Sequence, residues 1–139
     1  VVVVSAAVML AGTLDRTPTV VAVADLAHDS STFDPIGTDA SASARLVDHD
    51  GAMAIVVDDA RFPDLDDELA LELWLLAADE SGTVVDVVPV AFVDGPGTYE
   101  VPPGLDLGTH RIVDISIEPR DGDTSHSGRS ILRGTLTDT

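Results

Sequence analysis

The sequence predicts an all-β fold, an antiparallel β-sandwich of about eight strands. Hydrophobic residues make up 45% of the 139, and most are Val, Leu, Ala and Ile in short runs. Abundant β-branched residues favour strands. Clusters of Gly, Pro and Asp separate the runs at the spacing typical of sandwiches and barrels. The length suits one domain, so the general architecture that we expect is immunoglobulin-like.

Eight apolar runs are the predicted strands. They are Thr19–Leu26, Ala44–Asp48, Ala52–Asp58, Leu69–Ala78, Val84–Ala91, Thr98–Val101, Arg111–Glu118 and Ser130–Leu136. In the seventh run, Val113, Ile115 and Ile117 alternate with polar residues, which predicts a half-buried strand. The run Leu69–Ala78 is apolar on both faces, so we expect a central strand. A helix is the alternative there, because Leu and Glu are good helix formers.

Turn-forming residues connect these strands. Asp48–Gly51 and Asp79–Gly82 each lie between two apolar runs and are predicted hairpin loops. Asp94–Gly97 and Pro102–Gly104 would stop any helix. The stretch Asp29–Ser43 is rich in Ser, Thr, Asp and Gly, and is predicted to be a long surface loop.

The chain is strongly acidic. The net charge is −18, and all seven basic residues are Arg. Such a surface repels nucleic acid phosphates and anionic lipid headgroups, so neither is an expected partner. The excess of Asp either keeps the domain soluble or attracts a basic partner or cations. There is no Cys, which excludes disulfides and thiolate chemistry.

Possible metal ligands lack the spacing of a metal site. Six acidic residues fall between Asp58 and Glu68, yet the ordered calcium loop with its closing Glu is missing. Asp121–Asp123 is only a fragment of that pattern. The four His residues have no His or Cys three or four positions away, so they are predicted to be ordinary loop residues. We therefore expect no metal and no other cofactor.

Catalytic motifs are also missing. Ser125–Gly128 places Ser beside His, but adjacency in sequence is not the geometry of a catalytic triad. There is no nucleophile elbow, phosphate-binding loop or dinucleotide fingerprint. Trp74, the single Trp, lies on a strong strand and is predicted to pack in the core. We expect a protein that is not an enzyme and has no catalytic residues.

The first residues, Val1–Gly12, form an uncharged apolar run. A membrane span needs about 20 such residues, so this run is too short to cross alone. The outer end of a transmembrane helix and a buried element of the domain are both consistent with it.

Several segments resemble the C-terminal domain of anti-sigma-K factors, in the same order along the chain. Leu71–Leu75 is similar to the family's "ELWL" strand, and Phe62–Leu65 stands where the family has a Leu-Pro-rich segment. A strand that closes in Glu-Pro, a Gly-containing loop and a last strand with Gly follow. The residues that carry the resemblance, all in expected structural roles, are Glu72, Leu73, Trp74, Leu75, Glu118, Pro119, Gly122, Gly128 and Gly134.

The loop after Glu118-Pro119 departs from the family pattern. The family reads Gly-Gly-Ser and then Pro-Thr-Gly-Pro, whereas this chain keeps Gly122 and Gly128 but has no Pro there. The resemblance therefore supports the fold more firmly than any function specific to that loop.

The resemblance implies a layout and a role. Residues 1–18 would be the end of a transmembrane helix or a juxtamembrane stalk, and residues 19–139 an extracytoplasmic domain at the cell membrane. The domain would act as a sensor or as a stabilising domain. It would control when a site-one protease cuts the anti-sigma factor. The sigma factor would be bound only by a preceding cytoplasmic part.

Two other functions are consistent with the sequence. One is an extracellular β-sandwich module that binds a ligand or protein and is unrelated to sigma regulation. The other is a cation-dependent carbohydrate-active or hydrolytic domain.

Overall fold

Residues 17–139 form two antiparallel sheets in a computed structural model, which describes this part of the chain. The nine strands are β1 (Thr19–Leu26), β2 (Ser41–His49), β3 (Ala52–Arg61), β4 (Leu69–Ala78), β5 (Val84–Val93), β6 (Gly97–Glu100), β7 (Ile112–Pro119), β8 (Ser130–Thr135) and β9 (Thr137–Asp138). The first sheet has the order β6-β3-β2-β1-β9 and the second β5-β4-β7-β8. The predicted all-β sandwich is confirmed. The predictions for Val1–Gly12 lie outside the described residues.

One hydrophobic core lies between the sheets. The second sheet contributes large side chains from alternate positions of its two central strands, and these are almost fully buried. They are Leu71, Leu73 and Leu75 of β4, and Val113, Ile115 and Ile117 of β7. The first sheet contributes Leu46, Ile55 and Val57, together with the small residues Ala22, Ala24 and Ala44. Each large side chain stabilises the fold by about 1.5–3 kcal/mol relative to exposure.

β4 is the central strand that the sequence predicts, whereas β7 is more buried than predicted. β4 pairs with β5 on one side and β7 on the other, as a central strand should, and the helical alternative for Leu69–Ala78 is wrong. β7 was expected to be half-buried, and this prediction is also wrong. Its polar residues Asp114, Ser116 and Glu118 are as buried as its apolar ones, because a loop covers the outer face of the sheet, as described below.

Both predicted hairpins form. Asp50 and Gly51 join β2 to β3 with φ angles of 55° and 89°, which are the positive values that a two-residue type I′ turn requires. In the β4–β5 hairpin, the Asp79 carboxylate accepts backbone N–H groups from Ser81 and Thr83, both at 3.0 Å. The local turn chemistry therefore sets the register of each hairpin.

The region Asp29–Ser43 is not one long surface loop. Pro35–Gly37 forms a 3₁₀ turn, capped by the Asp34 carboxylate that accepts the Ile36 N–H at 3.0 Å. Gly37 is buried, and a Cβ at this position would collide with the side chain of Ile131. β2 begins at Ser41, before the predicted start. Close packing against β8 thus orders a segment whose composition is typical of a loop.

The chain closes the sandwich on one side. An antiparallel bridge joins Ala27 after β1 to Arg133 of β8. Beyond the buried Leu136, Thr137–Asp138 crosses to the first sheet and pairs with β1 as β9. This strand has no counterpart among the predicted strands, because two residues are too few to show a period.

A substitution at Gly134 tests how closely the two sheets approach each other at this edge. A Cβ there would overlap the backbone carbonyl oxygen of Asp25. We expect Gly134→Ala to lower the free energy of unfolding by about 1–3 kcal/mol through overpacking, as measured by urea denaturation. Gly95→Ala is the control, since no atom lies within 4 Å of its added Cβ. Equal stability of the two variants would contradict this account of the close approach.

Candidate functional site

A buried polar cluster lies on the outer face of the second sheet. Asp114, Ser116 and Glu118 point away from the core, yet they are 0%, 0% and 2% exposed. Residues 120–129, between β7 and β8, fold back over this face, and we call them the strap. The side chains joined under and beside the strap, which we call the clamp, are Trp74, Asp114, Ser116, Glu118, His126, Ser127, Ser130 and Arg133.

One arm of the clamp runs from Trp74 to the strap. The Trp74 Nε1–H donates to Ser116 Oγ at 2.9 Å, and that hydroxyl donates to the Glu118 carboxylate. The backbone N–H of Ser127 in the strap donates to the same carboxylate at 3.1 Å. These bonds follow from β7 alternation, which places Ser116 and Glu118 on the Trp74 face. Two donors thereby meet one oxygen, Oε2, of this buried carboxylate.

The other arm is centred on the fully buried Asp114 carboxylate. One of its oxygens accepts from Ser130 Oγ at 2.7 Å and from Arg133 Nε at 2.8 Å. The other is 2.8 Å from His126 Nε2. The Arg133 guanidinium carbon also lies 5.3 Å from the ring centroid of Phe33, a cation–π contact. This arm therefore links β7, β8, the strap and the segment after β1.

His126 is the strap residue that contacts both arms. Its ring is tilted against Trp74, with centroids 4.7 Å apart. Its Nδ1 accepts the Gly128 N–H at 2.9 Å, so the ring proton is on Nε2 and is donated to Asp114. Both ring nitrogens are occupied, and neither activates a serine. His126 is thus not the ordinary loop histidine that the sequence predicted.

The strap is also fixed through its own backbone. Ser127 Oγ donates to the Ile117 carbonyl at 2.7 Å and accepts the Arg129 N–H at 3.0 Å. Gly122 and Gly128 have φ angles of 83° and 82°, in the region that favours glycine. The strap therefore holds a defined shape without the Pro residues of the family pattern.

Glu72 lies beside the clamp but is poorly accommodated. It pairs with Ser116 in the β4–β7 register, on the outer face. Burial raises the pKa of its carboxyl group, and the nearby Glu118 charge raises it further, while His126 partly opposes both. Among residues 17–139, no side-chain or backbone donor makes a hydrogen bond to this carboxylate. The folded domain therefore disfavours the ionised form of Glu72.

Much of the remaining acidity serves local turns. Asp29, Asp79 and Asp123 each accept both the N–H and the hydroxyl of the serine two residues later. These bonds lower the pKa of all three carboxyl groups, that of Asp29 to about 2. In the described part of the chain, no three His, Asp or Glu residues are arranged to hold a metal ion.

The other histidines lie apart from the clamp. His110 Nε2 is 2.8 Å from the Asp86 carboxylate, and this hydrogen bond raises the pKa of His110. His28 Nδ1 bonds to the Ile131 carbonyl at 2.9 Å, and His49 is the last residue of β2, directly before the hairpin turn.

The structure gathers some of the residues that carry the family resemblance and separates others. Trp74 and Glu118 belong to the clamp, Glu72 borders it, and Gly122 and Gly128 shape the strap. Leu73 and Leu75 lie in the core on the opposite face of β4. Pro119 ends β7, paired with Leu69, and Gly134 lies against β1. Trp74 is buried as expected, but under the strap rather than between the sheets.

Sequence reasoning missed most of the clamp. Asp114, His126, Ser130 and Arg133 were not among the candidate residues. The alternating polar face of β7 was interpreted as solvent-facing, although β7 lies next to the apolar central strand β4. Trp74 lies on β4, the strand next to β7, and its large aromatic side chain shares the outer face with the polar residues of β7. This was the available signal that the outer face is covered.

The described residues define a β-sandwich domain whose outer face is fastened by a buried polar clamp. A family model described as "Anti-sigma-K factor rskA, C-terminal" matches residues 1–130. The chain therefore belongs to the family of anti-sigma-K factor C-terminal domains. The family is regulatory, typically membrane-associated and, in general, a partner of sigma factors. No curated protein and no solved structure matches the chain. Residues 17–139 include no helix of the length and apolarity that a membrane span requires.

Asp114→Asn tests the central carboxylate of the clamp. It removes a buried charge that three donors surround, so we expect a loss of about 3 kcal/mol in the free energy of unfolding. Asp138→Asn is the control, because this exposed carboxylate pairs with Arg111 at 2.7 Å and should contribute about 1 kcal/mol at most. Urea denaturation measures both. Similar losses in the two variants would refute the central role of Asp114.

Glu72→Gln tests the unfavourable carboxylate through its pH dependence. A raised pKa in the folded state means that folding binds the proton more tightly, so stability falls as pH rises past the ordinary value of 4.5. We expect Glu72→Gln to exceed the wild type in stability at pH 7 and to match it below pH 4.5. The exposed Glu80→Gln is the control. A destabilising Glu72→Gln at pH 7 would show that the ionised form is favoured instead.

Proposed function

We propose that this chain is the extracytoplasmic regulatory domain of a membrane-anchored anti-sigma factor. It controls the release of a sigma factor by regulated proteolysis. A preceding helix anchors it in the membrane, residues near Leu14–Pro18 form the stalk that a site-one protease cuts, and a cytoplasmic part binds the sigma factor. The family membership supports this role over a binding module unrelated to sigma regulation.

The clamp is the observation that carries the proposal. It joins β4, β7, β8 and the strap through one set of buried polar groups, each of which depends on the others being in place. A buried polar network of this kind is stable when complete and costly when partly broken. The domain therefore opens cooperatively rather than by gradual loosening, which is the behaviour that a proteolytic shield requires.

The charge distribution is consistent with a domain that stands away from the membrane. The net charge of −18 repels the anionic headgroups of a bacterial membrane surface. β1 follows directly after residue 18, so the start of the sandwich is close to the proposed stalk. Opening of the first sheet would lengthen the accessible segment that follows the stalk.

The test uses the full-length anti-sigma factor in cells that carry a sigma-dependent reporter. Asp114→Asn weakens the clamp, so we expect transcription to rise without inducer and a site-one cleavage fragment to appear on immunoblots. Deletion of residues 19–139 should raise transcription at least as much. Asp138→Asn should leave transcription at the wild-type level.

The result that overturns the proposal is specific. If Asp114→Asn lowers the melting temperature of the purified domain but leaves both transcription and the cleavage pattern unchanged, opening of the domain does not control proteolysis. Deletion of residues 19–139 with unchanged transcription would contradict the proposal independently of any single residue.

A further inference from the structure

The exposed apolar side chains of the described residues concentrate on one edge strand. β5 has a strand neighbour only on its β4 side among residues 17–139. It carries Val85, Val87 and Phe92, which are 62%, 39% and 61% exposed. Side chains as large as Phe are normally buried, and a group of them along a sheet edge is typical of an interaction surface.

Phe92 also lines a groove at the end of the sandwich. The groove has a volume of about 470 Å³ and lies between the β3–β4 connection and the end of β5. Its apolar side chains include Phe62, Leu65 and Leu69, which are partly buried and pack against the core. This volume is within the range of about 300–1,000 Å³ found for binding pockets, and these three side chains give the groove an apolar part.

The border of the groove is acidic. Asp64, Asp66, Asp67 and Asp94 line it against a single guanidinium, Arg120, whose Nε already donates to the Leu69 carbonyl at 3.2 Å. Glu72 pairs with Phe92 in the β4–β5 register, so its poorly stabilised carboxylate lies on the same face. Complementary charge therefore requires Lys or Arg on whatever binds here.

The backbone of β5 favours an extended peptide over a small molecule. In an antiparallel pair, alternate N–H and C=O groups of an edge strand point away from its neighbour, and an added strand satisfies them. Pro89 has no N–H, and Val85 and Val90 are skipped in the β4–β5 register, which limits pairing along this part of the strand. The last three residues of β5, Ala91 to Val93, lie beyond these irregularities and next to the groove.

A second copy of the chain fits this surface poorly. Each copy carries a net charge of −18, so two acidic borders would repel one another. Pro89 and the irregular register also disfavour pairing of β5 along its full length with another β5.

We propose that the groove and the last three residues of β5, Ala91 to Val93, dock an extended peptide segment in which Lys or Arg alternates with apolar residues. The peptide adds a strand beside β5, places an apolar side chain against Phe92, and pairs its basic side chains with the acidic border. This inference does not depend on the proposed function, since it concerns binding alone.

The test is fluorescence anisotropy on the full 139-residue chain. The probe is a fluorescein-labelled peptide of about ten residues, the length of β5, in which Lys alternates with Val. We expect saturable binding that weakens as salt rises. The same peptide with Glu in place of Lys, or with alternate amides N-methylated, should not bind. Equal binding of the Lys peptide and either control peptide would overturn the proposal.

Two variants locate the site. Phe92→Ser should weaken binding about tenfold, as loss of an aromatic anchor does, while Val23→Ser on β1 should not. Asp66→Asn with Asp67→Asn should weaken binding and reduce its salt dependence, while Asp25→Asn with Glu80→Gln should not. If the groove variants bind as the wild type does, the site is wrong. If sedimentation shows a dimer that Phe92→Ser abolishes, a second copy occupies the surface and the proposal fails.

Discussion

The buried carboxylate of Asp114 is the constraint on which the outer half of the structure depends. An isolated charge in this position would cost several kcal/mol, so the fold must bring donors to it. Ser130, Arg133 and His126 supply them at 2.7–2.8 Å. Two of these residues lie on β8 and one lies in the strap, so satisfying one side chain of β7 fixes two further elements of the chain.

The placement of β8 in turn closes the sandwich. Once Arg133 is held by Asp114, its backbone bridges Ala27, and the adjacent Gly134 accommodates the Asp25 carbonyl without a Cβ. The chain then crosses through Leu136 to pair with β1 in the other sheet. The polar clamp and the hydrophobic core are thus two parts of one cooperative unit, because the same strand completes both.

The sequence predicted the strands far better than the clamp, for a physical reason. Alternation and turn residues are local signals, and they located β1 and β4 with the bounds that the structure shows. The clamp depends on contacts between distant residues, such as Trp74 with Ser116. In addition, the polar face of β7 has the pattern of a solvent-facing strand, and only the covering strap reverses its environment. No local pattern shows that a loop will fold back over a sheet.

The clamp lies on the outer face of the second sheet and the groove lies at the end of the sandwich, and Glu72 is next to residues of both. It is paired with Phe92 on one side and with Ser116 on the other. Because a ligand that binds only the folded state stabilises it by mass action, an occupant of the groove would hold the domain closed. Peptide binding and opening of the domain then oppose each other.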